Sequence, residues 1–403
     1  MVVATLNTKS EVPRIDVSPL LVVVAAVALG VAVTATLVSL TQALLFLTGG
    51  LLGLALYYAS FGFTGGWKRF ATEGRSRSMR AQFLMIGLTA IVFIPLMAGL
   101  GPFDRTFVGA WAPVGVSVVL GSFIFGLGMQ LGGGCGSGTL FTVGGGSSRM
   151  LVTLAGFIVG AVVGTAHLPF WLSLPSLPAV KLGETFGPVS GVLITLVGIA
   201  ALMIILALVE KRRHGNVESI FSGLSDFSAS RLLHGPWPLF LAVILLALGN
   251  VFTLLLAGHP WSVTYGFGLW GAKLLDTVGI PVAQWEFWQM PGQARALSQS
   301  VLFDVTSVMN FGIILGAAFA ASLAGKFAQK ADVPFASYLA AIIGGLLMGY
   351  GARMSFGCNI GALFSGIASG SLHGWVWFVM AFLGSLVGIG LRPLFGLDGF
   401  KKQ

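Results

Sequence analysis

Two cysteines, 223 residues apart in a 403-residue chain, are the residues best suited to chemistry, and each sits among glycines. Residues Leu131–Gly138 read LGGGCGSG, and Cys358 stands in MSFGCNIGALF. A thiol is a weak hydrogen-bond donor with a polarizable sulfur, which suits a soft ligand. Each interior glycine costs a helix about 1 kcal/mol relative to alanine, so a helix must break near Cys135. A short helix restarting after Gly138 leaves its first amides unpaired, and such an end binds anions without any charged side chain. The candidate substrate contacts are therefore Cys135 and Cys358 with Gly134, Gly138, Gly357, Asn359 and Gly361. The competing reading is packing, since free cysteine is among the most buried residue types and small residues are common at membrane helix contacts.

No histidine or lysine lies within four residues of either cysteine. A neutral thiol in an apolar site favours hydrogen bonding over nucleophilic attack, so no catalytic residue is assigned. The spacing fits neither a disulfide framework nor a zinc site, and five scattered histidines have no metal-ligand spacing, so no metal or cofactor is expected. Arg353, five residues before Cys358, and Lys273 in WGAKLL could attract an anion, though Arg353 could equally snorkel to an interface. Phe141 and Phe364 are expected to pack beside the cysteine loops and wall a pathway. Asp304, Thr306, Ser307 and Asn310 fall on one apolar helix, where Asp304 is either an intramembrane functional group or a cap. Trp261, Trp270, Trp285 and Trp288 read as an interfacial belt.

The elements that must position these residues are membrane helices. Hydrophobic residues make up 56% of the chain and charged residues 9%, with mean hydropathy +0.94. Apolar runs near 20–40, 43–63, 81–100, 114–132, 151–167, 189–209, 239–257, 299–324, 335–354 and 374–395 are each about 20 residues long, the length that spans a hydrocarbon core. Four connectors, 64–80, 133–150, 258–298 and 355–373, carry short apolar stretches expected to form re-entrant half-helices. The net charge of +9 sits in short connectors such as GWKRFATEGRSRSMR and EKRRHG, a topology signal rather than a nucleic-acid footprint. If each run crosses once, Lys9, Arg14, Lys68 to Arg80, Lys211 to Arg213, Arg231, Lys326, Lys330, Lys401 and Lys402 share one side, which is then cytoplasmic. The first run is too long for a signal-peptide core and reads as an uncleaved helix.

Shifting the chain by 223 residues lays GSFIFGLGMQLGGGCGSGTLF on GGLLMGYGARMSFGCNIGALF, with eight of 21 positions identical, both cysteines among them. SFGF at 60–63 similarly resembles TYGF at 264–267. The two cysteine-bearing helices run in opposite directions, as in transporters built from inverted repeats. The expected fold is all-α, a polytopic membrane protein of about ten transmembrane helices plus re-entrant half-helices in two inverted-topology repeats. The expected divisions are a cytoplasmic tail at 1–18, repeats at 19–187 and 188–395, and a cytoplasmic tail at 396–403.

The cysteine loops, together with YYASFGFTGGWKRF, LWGAKLL and VLFDVTSVMNFGIILGA, resemble the paired motifs of the YeeE/YedE family of sulfur-transport membrane proteins. The resemblance covers most of the chain from Leu51 to Phe395. It implies uptake of thiosulfate or a related small sulfur anion through the cell (inner) membrane, with Cys135 and Cys358 passing the anion by thiol hydrogen bonds. It also implies a small cytosolic sulfur-carrier partner. Where the family commonly has a Phe-Cys-Phe motif, this chain has Phe61-Gly62-Phe63, so Gly62 marks a pathway position without its thiol. The alternatives are a membrane sulfur-relay or redox subunit with a covalently modified cysteine, and a non-transporting channel or assembly subunit.

Overall fold

The computed structural model describes residues 15–101, 104–225, 227–329 and 333–400. Lys9, Arg14, Lys330, Lys401 and Lys402 lie outside the described residues, as do the ends of both expected tails.

Fourteen helical elements organise the described chain. In the first part they are α1 (Val17–Leu37), α2 (Leu40–Tyr58), α3 (Phe63–Glu73), α4 (Arg77–Met97), α5 (Val116–Gly132), α6 (Gly136–Gly144) and α7 (Ser148–Ser173). After residue 187 come α8 (Pro188–His214), α9 (Leu239–Ala257), α10 (Thr264–Thr277), α11 (Val305–Leu323), α12 (Phe335–Met354), α13 (Asn359–Ala368, opening as a π-helix) and α14 (Leu372–Leu391). Smaller one-turn helices fill the connectors. Ten helical stretches among the described residues are long and apolar enough to cross a membrane, with α2–α3 and α5–α6 each forming one broken span. The short helices α3, α6, α10 and α13 fall in the four connectors expected to hold half-helices. The eighth span opens later than residue 299: residues 301–303 form a 3₁₀ turn, and Asp304 caps α11 by accepting from the Ser307 amide at 2.7 Å.

Glycine lets the spans approach backbone to backbone, as small residues do between membrane helices. A methyl group at Gly126 of α5 would sit 1.9 Å from the Ala381 carbonyl of α14, and one at Gly384 would sit 1.9 Å from the Phe123 carbonyl. Gly316 of α11 stands in the same relation to the Gly50 carbonyl of α2, and Gly349 of α12 is nearly as close to the Phe157 carbonyl of α7. Helices α1 and α8 lie at the periphery with apolar side chains turned outward, such as Leu21 at 64% and Val197 at 67% exposure. Such a belt is tolerable only against lipid, and the protein is a multi-pass membrane protein.

Arginines gather on one face. Arg69 pairs with Glu218 at 2.8 Å, while Arg75 and Arg80 each reach the buried Glu210 at 3.3 Å, tying the α3–α4 corner to the end of α8 and the segment after it. Arg213 donates to the Thr72 carbonyl, Arg149 caps α5 at the Leu131 and Gly132 carbonyls, and Arg392 donates to the Gln130 carbonyl. Lys68 and Arg392 both hold Asp398, which keeps its carboxyl down at about 2. The opposite face is closed by a two-residue antiparallel pairing of Val114–Gly115 with Ser176–Leu177 and by the bond from the Leu182 amide to the Gly370 carbonyl.

Candidate functional site

Both cysteines stand directly before a short helix. Cys135 caps α6: its Sγ accepts from the Gly138 amide at 3.3 Å, and its carbonyl accepts from the Thr139 amide at 2.8 Å. Cys358 precedes α13, and its carbonyl accepts from the Ala362 amide at 2.8 Å. The glycines before them are there for shape. Gly133 ends α5 in the left-handed region at φ +87°, and Gly357 has φ +149°, where a methyl group would also meet the Ala362 amide nitrogen at 2.8 Å. Phe356 takes φ +59°, a conformation a bulky side chain adopts only when its surroundings impose it.

The structure brings the two loops together. A methyl group at Gly136, the first residue of α6, would sit 3.0 Å from the Cys358 Sγ. It would also lie 3.4 Å from side-chain carbons of Val263 and Thr264, where α10 begins. The Phe63 amide at the start of α3 also faces the Cys135 Sγ. Four short helices thus direct their N-termini at one buried locus; Cys135 is 1% exposed and Cys358 is fully buried. Amides at such ends carry roughly half a positive charge per helix, so the locus is anion-attracting without holding a charged side chain.

Asn359 sharpens this picture. It is completely buried at the first position of α13, and neither its Oδ1 nor its Nδ2 has a hydrogen-bond partner. An unsatisfied buried polar group costs about 1–3 kcal/mol, a cost that a ligand at this position would remove. Gly361 is loosely surrounded and Gly138 less so: a methyl group at Gly361 would meet only the Ser262 Oγ at 3.7 Å and the Phe356 carbonyl at 4.0 Å, ordinary contact distances, while one at Gly138 would press on the Cys135 Sγ at 3.3 Å. Gly62, directly before α3, is similarly open, with only the Ser60 carbonyl at 4.0 Å. Gly134 differs, because a methyl group there would strike the Met150 Cε at 2.7 Å, so it serves packing.

The remaining candidates are distributed more widely. Phe364 is buried with its ring edge-on to Trp261 at a centroid distance of 6.5 Å, beside the Cys358 loop. Phe141 is half-buried and lines a cavity of about 580 Å³ with Tyr57, Thr142 and Lys326 on the arginine-rich face. Arg353 does not snorkel: its guanidinium lies 4.3 Å over the Phe287 ring, with Nε and Nη2 buried and unpartnered. Lys273 is not brought to the cysteines. Its ammonium donates to the Leu297 carbonyl at 2.6 Å and the Gln299 carbonyl at 2.5 Å. It lies nine residues, about 13 Å, along α10 from the end that meets Gly136. The tryptophan belt is also overturned in part, because Trp261 and Trp288 are fully buried and Trp270 donates to the Ser307 Oγ at 2.8 Å.

Sequence reasoning missed two of the polar groups that hold the turn before α10, Asn250 and Ser365, although it singled out the third, Asn310. Asn250 of α9 accepts from the Trp261 amide at 2.8 Å and donates to the Ser365 Oγ, which in turn donates to the Trp261 carbonyl at 2.8 Å. Asn310 of α11 donates to the Val263 carbonyl at 2.9 Å. A lone asparagine in the apolar run 239–257 was the available signal, since polar side chains in membrane helices are retained for a partner.

Comparison with known proteins gives the family. Over 345 residues the chain is 26% identical to the thiosulfate transporter TsuA of Escherichia coli (strain K12), covering 83% of this chain and 90% of that one. It is 29% identical over 286 residues to the thiosulfate transporter TsuA of Spirochaeta thermophila, covering 67% and 76% respectively. A 161-residue segment is 31% identical to the probable transporter YedE of Escherichia coli (strain K12), and that match spans 40% of this chain and only 39% of the relative. Residues 58–387, more than four fifths of the chain, match the sulphur transport family, and the chain belongs to it.

Proposed function

We propose that the chain imports thiosulfate, or a closely related small sulfur anion, across the cell (inner) membrane through the locus where α3, α6, α10 and α13 meet. The observation that carries this reading is the seating of the Cys358 Sγ over the first residue of α6, which puts one thiol at the anion-attracting end of the other cysteine's helix. Thiosulfate has a soft terminal sulfur and hard oxygens. Thiols suit the first and backbone amides the second, so the anion passes between Cys358 and Cys135 by exchanging hydrogen bonds. Direct transport is favoured over covalent relay because the groups that meet the Cys135 sulfur are the Ser137 hydroxyl and backbone amides, none of them a base that could activate it.

Two inverted repeats suit this pathway, and reciprocal packing supports them. Helix α2 packs on α11 as α9 packs on α4, α5 packs on α14 as α12 packs on α7, and α1 meets α11 as α8 meets α4. The arginine-rich face is cytoplasmic in this reading, by the bias of basic residues toward that side. A small cytosolic sulfur-carrier protein would receive the anion there.

The deciding experiment is uptake of radiolabelled thiosulfate into liposomes holding purified protein, with protein amount measured alongside. We expect Cys135→Ala and Cys358→Ala each to lower uptake at least tenfold while insertion and folding persist, since a hydrogen bond to a charged group contributes about 1.5–3 kcal/mol. Wild-type uptake by the double alanine variant would reduce both cysteines to packing.

A further inference from the structure

The turns before α3 and α10 read Phe61-Gly62-Phe63-Thr64 and Trp261-Ser262-Val263-Thr264: an aromatic, a small residue, an apolar residue and a threonine. Helix α3 begins at Phe63 and α10 at Thr264, so this match agrees with the helix starts to within one residue, whereas TYGF at 264–267 lies inside α10. Both aromatics are buried, Phe61 at 2% and Trp261 at 0%, and both threonines are nearly so. Gly62 therefore has a counterpart, Ser262. Its hydroxyl is the nearest atom, at 3.7 Å, to where a methyl group on Gly361 would sit, three residues into the loop that begins at Cys358, and Ser262 itself is only half-buried.

We propose that the Ser262 hydroxyl, with the Cys358 thiol and the open face of Gly361, forms a half-site that holds the oxygen end of the anion on the face opposite the arginines. The proposal rests on the transport reading above and adds a residue that neither cysteine motif contains. The turn that carries Ser262 is held rigidly, because Asn250, Ser365 and Asn310 all bond its backbone and leave the Ser262 side chain uncommitted to any of them. Asn359, fully buried with both polar atoms unpartnered, stands between Cys358 and Gly361 and supplies a donor for the same ligand. A cavity of about 250 Å³ lined by His259, Tyr265, Arg295 and Asp304 borders the loop that contains Ser262. A hydroxyl is a harder donor than a thiol, so Ser262 and Cys358 together distinguish the oxygen end of thiosulfate from its sulfur end. On the arginine-rich side Gly62 offers space but no such donor, which makes the two half-sites unequal and places the tighter hold at the Ser262 end.

Two measurements test this. The first is transport kinetics of Ser262→Ala in liposomes: the KM for thiosulfate rises about fivefold or more while the maximal rate stays within about twofold, the signature of lost binding. An unchanged KM overturns the proposal. The second is modification of Ser262→Cys in purified protein by a charged thiosulfonate reagent, read by mass spectrometry against the wild-type chain, whose two thiols are buried. Modification that thiosulfate slows supports the half-site. Modification slowed by sulfate but not by thiosulfate supports an anion half-site at Ser262 and overturns the thiosulfate reading instead. No modification, or modification that neither anion slows, overturns the proposal.

Discussion

Asn359 separates function from stability at the scale of one side chain. Both of its polar atoms are buried without partners, so in the unliganded protein it destabilises the fold. Asn359→Leu keeps the branched heavy-atom shape and removes the unsatisfied groups. Such a change should raise the thermal unfolding temperature while lowering thiosulfate uptake at least tenfold, the trade expected where a site is held poised for a ligand. Uptake at the wild-type rate would mean that Asn359 is an internal irregularity rather than a ligand group. The cysteines and their glycines were legible in sequence because one motif carries them all, twice. Ser262, Asn250 and Ser365 were not, because they come from separate segments and only the fold makes them neighbours. Lys273 shows the converse: a lysine in an apolar stretch reads as functional, and only the fold shows that its ammonium bonds carbonyls of the connector.

Glycine decides the packing at the scale of the element, and α14 contains its own control. A methyl group at Gly384 would sit 1.9 Å from the Phe123 carbonyl of α5, whereas one at Gly390 would meet nothing within 4 Å. Gly384→Ala must push α14 off α5, an overpacking that costs about 1–3 kcal/mol, and a lower melting temperature in detergent checks it. Gly390→Ala gains about 0.4–1 kcal/mol of helix preference with no clash, so its melting temperature should hold or rise. Equal effects from the two would mean that the α5–α14 contact is not set by backbone approach. The spans themselves were readable from hydropathy, within a few residues, because burial in lipid demands long apolar runs. Which of the 58 glycines mattered was unreadable, since a glycine facing lipid and one facing a carbonyl look alike in sequence. The start of α11 was misplaced because apolar residues 301–303 continue the run by hydropathy, while the Asp304 cap ends it by hydrogen bonding.

Charge asymmetry is what would orient the whole molecule in the proposed reading. Arg69, Arg75, Arg80, Arg149, Arg213 and Arg392 all bond groups on one face, so the basic connectors predicted to share a side are physically joined there. Several of these charges are neutralised by Glu210, Glu218 and Asp398. Acidic partners contribute little to insertion, because the bias counts lysine and arginine rather than net charge. The face carrying them should therefore remain in the cytoplasm. Two positions report on this: Arg212, exposed just before the end of α8, and Ala283, exposed in the connector between α10 and α11 on the other face. The chain's own thiols are both buried and give little background. In intact cells, a membrane-impermeant maleimide should label Ala283→Cys and leave Arg212→Cys unlabelled until the membrane is opened. The reverse pattern would turn the molecule over, putting Ser262 on the cytoplasmic side of the cysteines. Labelling of both from outside would place the two faces on one side of the membrane, which an odd number of crossings between residues 212 and 283 forbids, and would remove one of the spans from the fold.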